Sequence, residues 1–356
     1  MKKTALIMAG GRGERFWPKS RKGLPKQFLS LTDDGKTMIQ LTVERILPLV
    51  DVEDIYVATN KDYLELVRTQ LPGIPEGNII CEPVGRNTAP CIALGAALIS
   101  SKYEDAVMMV LSSDHLIRYN SMYQTILRDA CEVALEGDNL VTVGITPDHP
   151  ETGYGYIKFN ASESYGRAFS VERFVEKPSL EKAKEYLAAD DYLWNSGMFL
   201  WKISSVMKRF RELMPDVYEG VMKIKNAYIE GRMDEALEQI FPDFPSISID
   251  YGIMEKSQNI YTIPGTFGWD DVGSWLAVER IKKSNEYGNI VDGNVITIDT
   301  KNCIIQADKK LIATIGLKDL VIVDTEDATL ICEKGSTADI KKVLENLRIC
   351  NRNEYL

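Results

Sequence analysis

The sequence predicts an α/β protein: a mixed, mostly parallel sheet with helices on both faces, followed by a small β-rich module. Three observations predict it. Short apolar runs alternate with longer amphipathic segments through the first half of the chain. After about residue 288 the pattern becomes a series of short β-branched runs broken by Asn, Asp, Gly and Lys. No low-complexity linker separates the two regions, so they are expected to pack on each other.

In chain order, Leu6–Met8, Ile55–Ala58, Ile79–Ile80, Val107–Leu111 and Leu140–Val143 have the unbroken apolar character of buried strands. Between them, segments near 37–48, 61–71, 88–102 and 121–136 keep apolar residues at spacings of three and four, which predicts helices. Strand–helix alternation of this kind builds a parallel sheet, and such sheets bind ligands at the carboxyl ends of their strands. Residues 150–285 continue the pattern with longer insertions rich in Tyr, Trp, Gly and Pro. The expected division is therefore 1–285 and 286–356, with a closing helix from about Thr337 to Leu347. The β-rich runs recur too loosely to establish a regular solenoid from periodicity alone. Their expected task is packing or assembly rather than chemistry.

Composition narrows the function classes. The 356 residues carry a formal charge of −10, which disfavours nucleic acid as the main partner and requires any phosphate to be held by a local basic cluster. The six cysteines contain no C-x-x-C pair and mostly sit in apolar stretches, as expected of reduced thiols in a cytoplasmic protein. With 2 histidines, a zinc site or multi-histidine cage is disfavoured. The longest apolar run, Ala106–Leu111, is far short of the ~20 residues of a membrane span. The N-terminal apolar stretch stops at Gly10 before a signal-peptide core has formed. No membrane partner is expected.

The first segment that carries chemistry is Leu6-Ile-Met-Ala-Gly-Gly-Arg-Gly-Glu-Arg-Phe-Trp-Pro18. An apolar strand runs into three glycines and two arginines, so backbone N–H groups can approach phosphate oxygens. The frame is not a dinucleotide fingerprint, because Phe16 stands where a third glycine belongs, and no Gly-Lys-Ser/Thr of a Walker loop follows. A plain strand-to-helix turn is the competing explanation, but it has no use for Arg12 and Arg15. Downstream, Pro25 fixes the backbone ahead of Lys26. Together the loop and this lysine predict a triphosphate clamp.

These segments resemble the sugar-1-phosphate nucleotidyltransferases, whose signature is a glycine-rich loop, an arginine and a downstream Pro-Lys. The variants Phe16-Trp-Pro18 and Pro25-Lys-Gln-Phe28 are typical of the mannose/GTP branch. Four further segments match: Glu82-Pro-Val-Gly-Arg-Asn-Thr-Ala-Pro90, Ser113-Asp-His115, Glu151-Thr-Gly-Tyr-Gly-Tyr-Ile157 and Trp194-Asn-Ser-Gly-Met-Phe199. The resemblance covers at least residues 4–280. It implies a Rossmann-like nucleotidyltransferase fold, and the tail looks like that family's small left-handed β-helix-like domain, through which a homodimer could form.

The implied substrates are GTP and mannose 1-phosphate, giving GDP-mannose and pyrophosphate, with Mg²⁺ as cofactor. Asp114 follows the most apolar strand, where a carboxylate is well placed for Mg²⁺, although a helix cap is the bland alternative. Asp271 is the second metal ligand by resemblance. Arg15 and Lys26 are the expected catalytic cations, acting on phosphate charge. The nucleotide's expected neighbours are Ala9, Gly10, Gly11, Arg12, Gly13, Glu82, Arg86, Asn87, Thr88 and Ser113. Within that set, Glu82 and Asn87 are the side chains assigned to guanine, and Asn87 or Thr88 is equally a candidate to cap the next helix. The resemblance places Gly153, Tyr154, Gly155, Glu176 and Asn195 on the sugar and Lys177 on its phosphate. Two alternatives keep the fold: a glucose 1-phosphate enzyme using UTP or dTTP, or a non-catalytic sugar-nucleotide-binding homologue. The intact set Arg15, Lys26, Asp114 and Asp271 argues against the latter.

Overall fold

The computed structural model describes residues 1–356. They form two compact units, one comprising Met1–Gly10, Thr42–Ser113 and Ile117–Trp269, the other Gly11–Leu41, Asp114–Leu116 and Asp270–Leu356.

The first unit is built on a nine-stranded sheet. Its strands are β1 (Lys2–Met8), β2 (Ile55–Asn60), β3 (Ile79–Glu82), β4 (Ala106–Ser112), β5 (Leu140–Ile145), β6 (Tyr156–Tyr165), β7 (Ala168–Val175), β8 (Tyr192–Lys202) and β9 (Ile260–Gly265). Their order is β3-β2-β1-β4-β8-β5-β9-β7-β6. Pairing is parallel from β3 to β4 and between β5 and β9, and antiparallel wherever β8 or β7 takes part. Only β7 and β8 therefore run against the common direction. Ala106 to Leu111 of β4 are at most 1% exposed, the burial that an all-apolar central strand predicts.

Helices cover both faces. In chain order the first seven α-helices are α1 (Met38–Ile46), α2 (Leu64–Gln70), α3 (Thr88–Lys102), α4 (Asn120–Leu135), α5 (Leu180–Ala188), α6 (Ile203–Leu213) and α7 (Pro215–Ile229). On one face lies α3, backed by α6 and α7, and α4 packs on β4, β5, β8 and β9. Because α3 is sandwiched between sheet and helices, it is apolar nearly all round, with Ala89 to Ile99 buried. Gly95 brings it close to the sheet: a Cβ there would stand 2.6 Å from Cδ2 of Leu6. Each fully buried Leu, Ile or Val in this core contributes ~1.5–3 kcal/mol. The parallel register aligns Met8 with Ser112 and Asn60 with Glu82, so the segments following β1, β3 and β4 leave from one edge of the sheet.

The second unit contains the β-rich module: β10 (Ile290–Asp292), β11 (Val295–Ile298), β12 (Ile304–Gln306), β13 (Ile312–Ile315), β14 (Leu320–Asp324) and β15 (Thr329–Glu333). β10, β12 and β14 pair in parallel, as do β11 and β13, and β15 closes the larger sheet antiparallel. The first two coils thus supply one strand to each of two sheets, while β14 and β15 both join the larger one. The closing helix runs from Ile340 to Ile349 and buries Ile340 and Leu344 in a cluster with Phe16, Trp17, Val272 and Trp275. The glycine-loop residues 11–41 belong to this same unit.

Candidate active site

In the second unit, one open cleft of about 490 Å³ is lined by Arg12, Gly13, Glu14, Arg15, Phe16, Lys26, Asp114, His115, Asp271, Gly273 and Lys341. Six residues expected from the sequence to serve the phosphates or the metal meet there: Arg12, Gly13, Arg15, Lys26, Asp114 and Asp271. Lys26 is 5% exposed. Its ammonium lies 2.7 Å from Oδ2 of Asp114 and donates to the carbonyls of Asp271 at 2.8 Å and Val272 at 3.0 Å. Burial alone would raise the Asp114 carboxyl, but the Lys26 ammonium, and secondarily His115, hold it below the usual carboxylate range.

Local sequence explains this placement. Pro25 precedes a single helical turn that starts at Lys26. Gly13 has φ +58°, and a Cβ there would fall 2.4 Å from Cβ of Lys26, so the loop touches the lysine backbone where only glycine fits. Gln27 Nε2 donates to the Gly11 carbonyl at 2.9 Å, fastening the two segments together. Arg15 reaches no carboxylate; its nearest partner is the Gly273 carbonyl at 3.5 Å. Asp271 accepts from the Gly273 N–H at 3.1 Å, and a Cβ on Gly273 would lie 2.7 Å from Oδ2 of Asp271. Asp270, by contrast, is buried and forks onto Arg280.

The donor set fits a hard divalent cation. Three carboxylates line the cleft; Glu14 is taken up by Arg348, which leaves Asp114 and Asp271, and there is no group of three or more His, Cys, Asp or Glu side chains able to cage a metal. That is the donor pattern of Mg²⁺, which keeps waters and takes its remaining ligands from phosphate oxygens.

The first unit holds the other candidates. Ala9 is fixed by its N–H to the Ala58 carbonyl at 2.7 Å, and Ser113 N–H donates to the Met8 carbonyl at 3.1 Å. Glu82 is 7% exposed, with Oε1 buried and unpartnered. Burial pushes its carboxyl up to about 7, against a smaller opposing effect of the Cys91 thiol. A Cβ on Gly10 would lie 3.9 Å from Oε2 of Glu82, so the acid faces Gly10. Asn87, at φ 66°, caps α3 by accepting from the Thr88 N–H at 2.8 Å. Thr88 Oγ1 accepts from the Ile249 N–H at 2.8 Å, and Arg86 donates to the Pro242 carbonyl. Arg86 and Thr88 are thus tied to the 242–249 segment, and the capping alternative holds for Asn87.

A second group forms around Gly155. Its hypothetical Cβ would lie 2.7 Å from Oε2 of Glu176 and 3.5 Å from Cβ of Asn195, while its carbonyl accepts from the Asn195 N–H at 2.8 Å. Asn195 Nδ2 donates to Oδ1 of Asp250 at 2.7 Å. Burial, and to a lesser degree the charge of Glu176, raises the Asp250 carboxyl against the Asn195 hydrogen bond. Lys177, at φ 43°, pairs with Glu176 at 3.1 Å and is otherwise exposed. Gly153 N–H is held by Glu151 at 2.7 Å, and Tyr154 packs edge-on against Trp194 and Trp269. Sequence reasoning missed Asp250. Its only local signal is Ser248, which caps the short helix Ile249–Gly252.

The nucleotidyl transferase family model matches residues 4–286, and a mannose-phosphate isomerase/GMP-like β-helix domain matches 293–347. A mannose-1-phosphate guanylyltransferase from Salmonella montevideo is 39% identical over 99% of this chain and 75% of its own length. One from Escherichia coli K12 is 41% identical over 98% and 74% respectively. A crystal structure described as mannose-1-phosphate geranyltransferase from Thermus thermophilus superposes with TM-score 0.87 at 36% identity, covering 98% of this chain and all of that one. No helix is long and apolar enough to cross a membrane.

Proposed function

We propose that this chain, which belongs to the nucleotidyl transferase family, transfers GMP from GTP to α-D-mannose 1-phosphate, giving GDP-mannose and pyrophosphate. The observation that carries the reading is Lys26: a buried ammonium held among Asp114, Asp271 and Val272, on a cleft that Arg12 and Gly13 of the glycine loop also line. Identities near 40% to guanylyltransferases over almost the whole chain support the choice of substrates.

A phosphate oxygen of the sugar phosphate attacks the α-phosphorus in line, and the bond from that phosphorus to the pyrophosphate oxygen breaks. The nucleophile is already an anion near neutrality, so no side chain has to remove a proton. Catalysis therefore rests on positioning and on neutralising charge. The backbone of Gly10–Gly13 and the side chains of Arg12 and Arg15 hold the triphosphate, while Lys26 supplies a fixed positive charge. Asp114 and Asp271 would hold Mg²⁺, which supplies charge neutralisation to the phosphates when bound.

Glu82 faces Gly10 with an unpartnered buried oxygen, and guanine offers N1–H and N2–H donors that a carboxylate accepts. Asn87, capping α3, holds the segment beside it. In the other group Gly155 and Asn195 with Glu176 and Asp250 read sugar hydroxyls, and Lys177 meets the sugar phosphate. Functionally the chain divides near 285 into a catalytic part and a β-rich part, in keeping with family matches to 4–286 and 293–347. Exposed Ile296, Ile298 and Ile315 lie on paired strands β11 and β13, an apolar face suited to a second copy of the chain. The six free thiols suit a reducing, cytoplasmic setting.

The test is a coupled assay of pyrophosphate release with and without Mg²⁺. GTP with mannose 1-phosphate should be turned over with the highest kcat/KM. Preference for UTP or dTTP with glucose 1-phosphate, or no release from any pair, overturns the reading.

A further inference from the structure

Charge in the phosphate cleft does not balance among its own residues. Asp114 is paired with Lys26, and Glu14 is paired at 2.7 Å with Arg348, outside the cleft lining. Arg12 and Lys341 make no hydrogen bond or ion pair with any other residue, and Arg15 has only its distant carbonyl. Arg12, Arg15 and Lys341 thus lack an ion-pair partner, and the one lining carboxylate left against these three cations is Asp271, which accepts from the Gly273 N–H, in a chain whose net charge is −10.

Lys341 is the unexpected member. It lies in the first turn of the closing helix Ile340–Ile349, where the helix dipole already presents positive charge and a lysine is disfavoured. Its neighbour Lys342 is relieved by Asp339 at 2.9 Å, whereas Lys341 has no such partner. Nor can the helix swing freely. Ile340 and Leu344 are buried with Phe16 and Trp17 of the glycine-loop segment, and Arg348 is clamped to Glu14. Farther on, the Tyr355 carbonyl accepts from Trp17 Nε1 at 2.7 Å and from Arg21 at 2.5 Å. A cation placed against local preference, on a helix locked to the phosphate loop, is offset when an anion arrives between it and the arginines.

We propose that Lys341 is a nucleotide-binding residue of the β-rich part, gripping with Arg12 and Arg15 the two terminal phosphates that leave as pyrophosphate. Charge matching assigns those phosphates: the terminal pair carries most of the triphosphate's charge, and the unmatched cations are where that charge is best met. Lys26, already in contact with Asp114 and the Asp271 carbonyl, is left for the phosphate at the reacting end. The β-rich part then contributes to substrate binding as well as to packing, contrary to the expectation from sequence. This assignment rests on the proposed nucleotidyl transfer, but its test does not need the identity of base or sugar.

Titration of the full chain with inorganic tripolyphosphate, followed calorimetrically, isolates the claim. Lys341→Ala should weaken binding about tenfold, or about 1.4 kcal/mol, Lys341→Arg should retain most of it, and Lys342→Ala should match the wild type. In turnover, Lys341→Ala should raise KM for GTP by a similar factor and leave KM for the sugar phosphate unchanged. Equal tripolyphosphate affinity of Lys341→Ala and Lys342→Ala would overturn the proposal, as would a wild-type chain that binds no tripolyphosphate. A wild type that binds tripolyphosphate but makes no GDP-mannose would instead strike at the substrate reading alone.

Discussion

Replacing Gly13 by Ala tests the link between loop geometry and chemistry most directly. The added Cβ would sit 2.4 Å from Cβ and 2.6 Å from the backbone N of Lys26. Carbon atoms settle at ~3.5–4.0 Å, so about 1 Å must be found by moving backbone, since no flexible side-chain tip is involved. Holding a non-glycine residue at φ +58° costs a further ~1–2 kcal/mol. The fold can absorb a total of roughly 2–3 kcal/mol, but a shift of about 1 Å in the Lys26 ammonium costs ~10²-fold in rate. We therefore expect kcat for pyrophosphate release to fall about a hundredfold, with a cooperative thermal transition retained at a modestly lower Tm. Gly23→Ala is the control: its Cβ would meet nothing within 4 Å and its φ is not positive. It should leave both quantities unchanged. A Gly13→Ala enzyme turning over within threefold of wild type would refute the claim that this contact positions Lys26.

Lys26→Ala should lower kcat by ~10²–10³, the loss typical of one preorganised electrostatic group, and a near wild-type kcat in stopped assays would exclude Lys26 from the reaction. Glu82 should make guanine binding pH-dependent: with its carboxyl at about 7, the accepting carboxylate forms only as pH rises, so Kd for GTP should fall between pH 6 and 8 and become flat in Glu82→Gln. The same raised value makes the buried charge cost roughly 3 kcal/mol above pH 7; its stability contribution is present below the ordinary carboxyl value and lost as pH climbs through 7. Glu82→Gln should accordingly melt higher than wild type at pH 8 and show no such gain at pH 5. Ile315→Glu, at an outward position of β13, should convert a dimer to a monomer by light scattering while leaving the far-ultraviolet circular dichroism unchanged; an unchanged mass would remove that face from assembly.

What the sequence disclosed follows from which interactions are local. The strands 6–8, 55–58, 79–80, 107–111 and 140–143 fall inside β1 to β5, because a strand buried on both faces must be apolar throughout and a short window reveals that. The glycine loop and Pro25-Lys26 were legible for a similar reason: a positive φ and a fixed φ are properties of single residues. The coils of the β-rich part were not legible as a repeat. Partners are 14 residues apart for Ile290 and Ile304 but 17 for Ile304 and Val321, so no single period fits. Nor did the alternation announce β8, an antiparallel strand inserted between β4 and β5 from far along the chain. Asp250 and Lys341 were invisible because their proposed roles depend on neighbours remote in sequence, Asn195 for one and Arg12 for the other.

If Lys26 meets the phosphates as proposed, the contacts around it constrain how they enter. An ammonium has three N–H donors, and all three directions are used: Asp114, the Asp271 carbonyl and the Val272 carbonyl. The two carbonyls belong to a backbone turn pinned by Asp270 through the Val272 N–H at 2.8 Å and by Arg280 beyond it. The fold holds both carbonyls in place. Asp114 is the movable partner, a side chain about a third exposed. Lys26 therefore offers a hydrogen to a phosphate oxygen most readily by loosening its hold on Asp114. On the proposed reading, phosphate binding at Lys26 is coupled to release of that carboxylate, which would free the acid for another cation as the phosphate charge arrives.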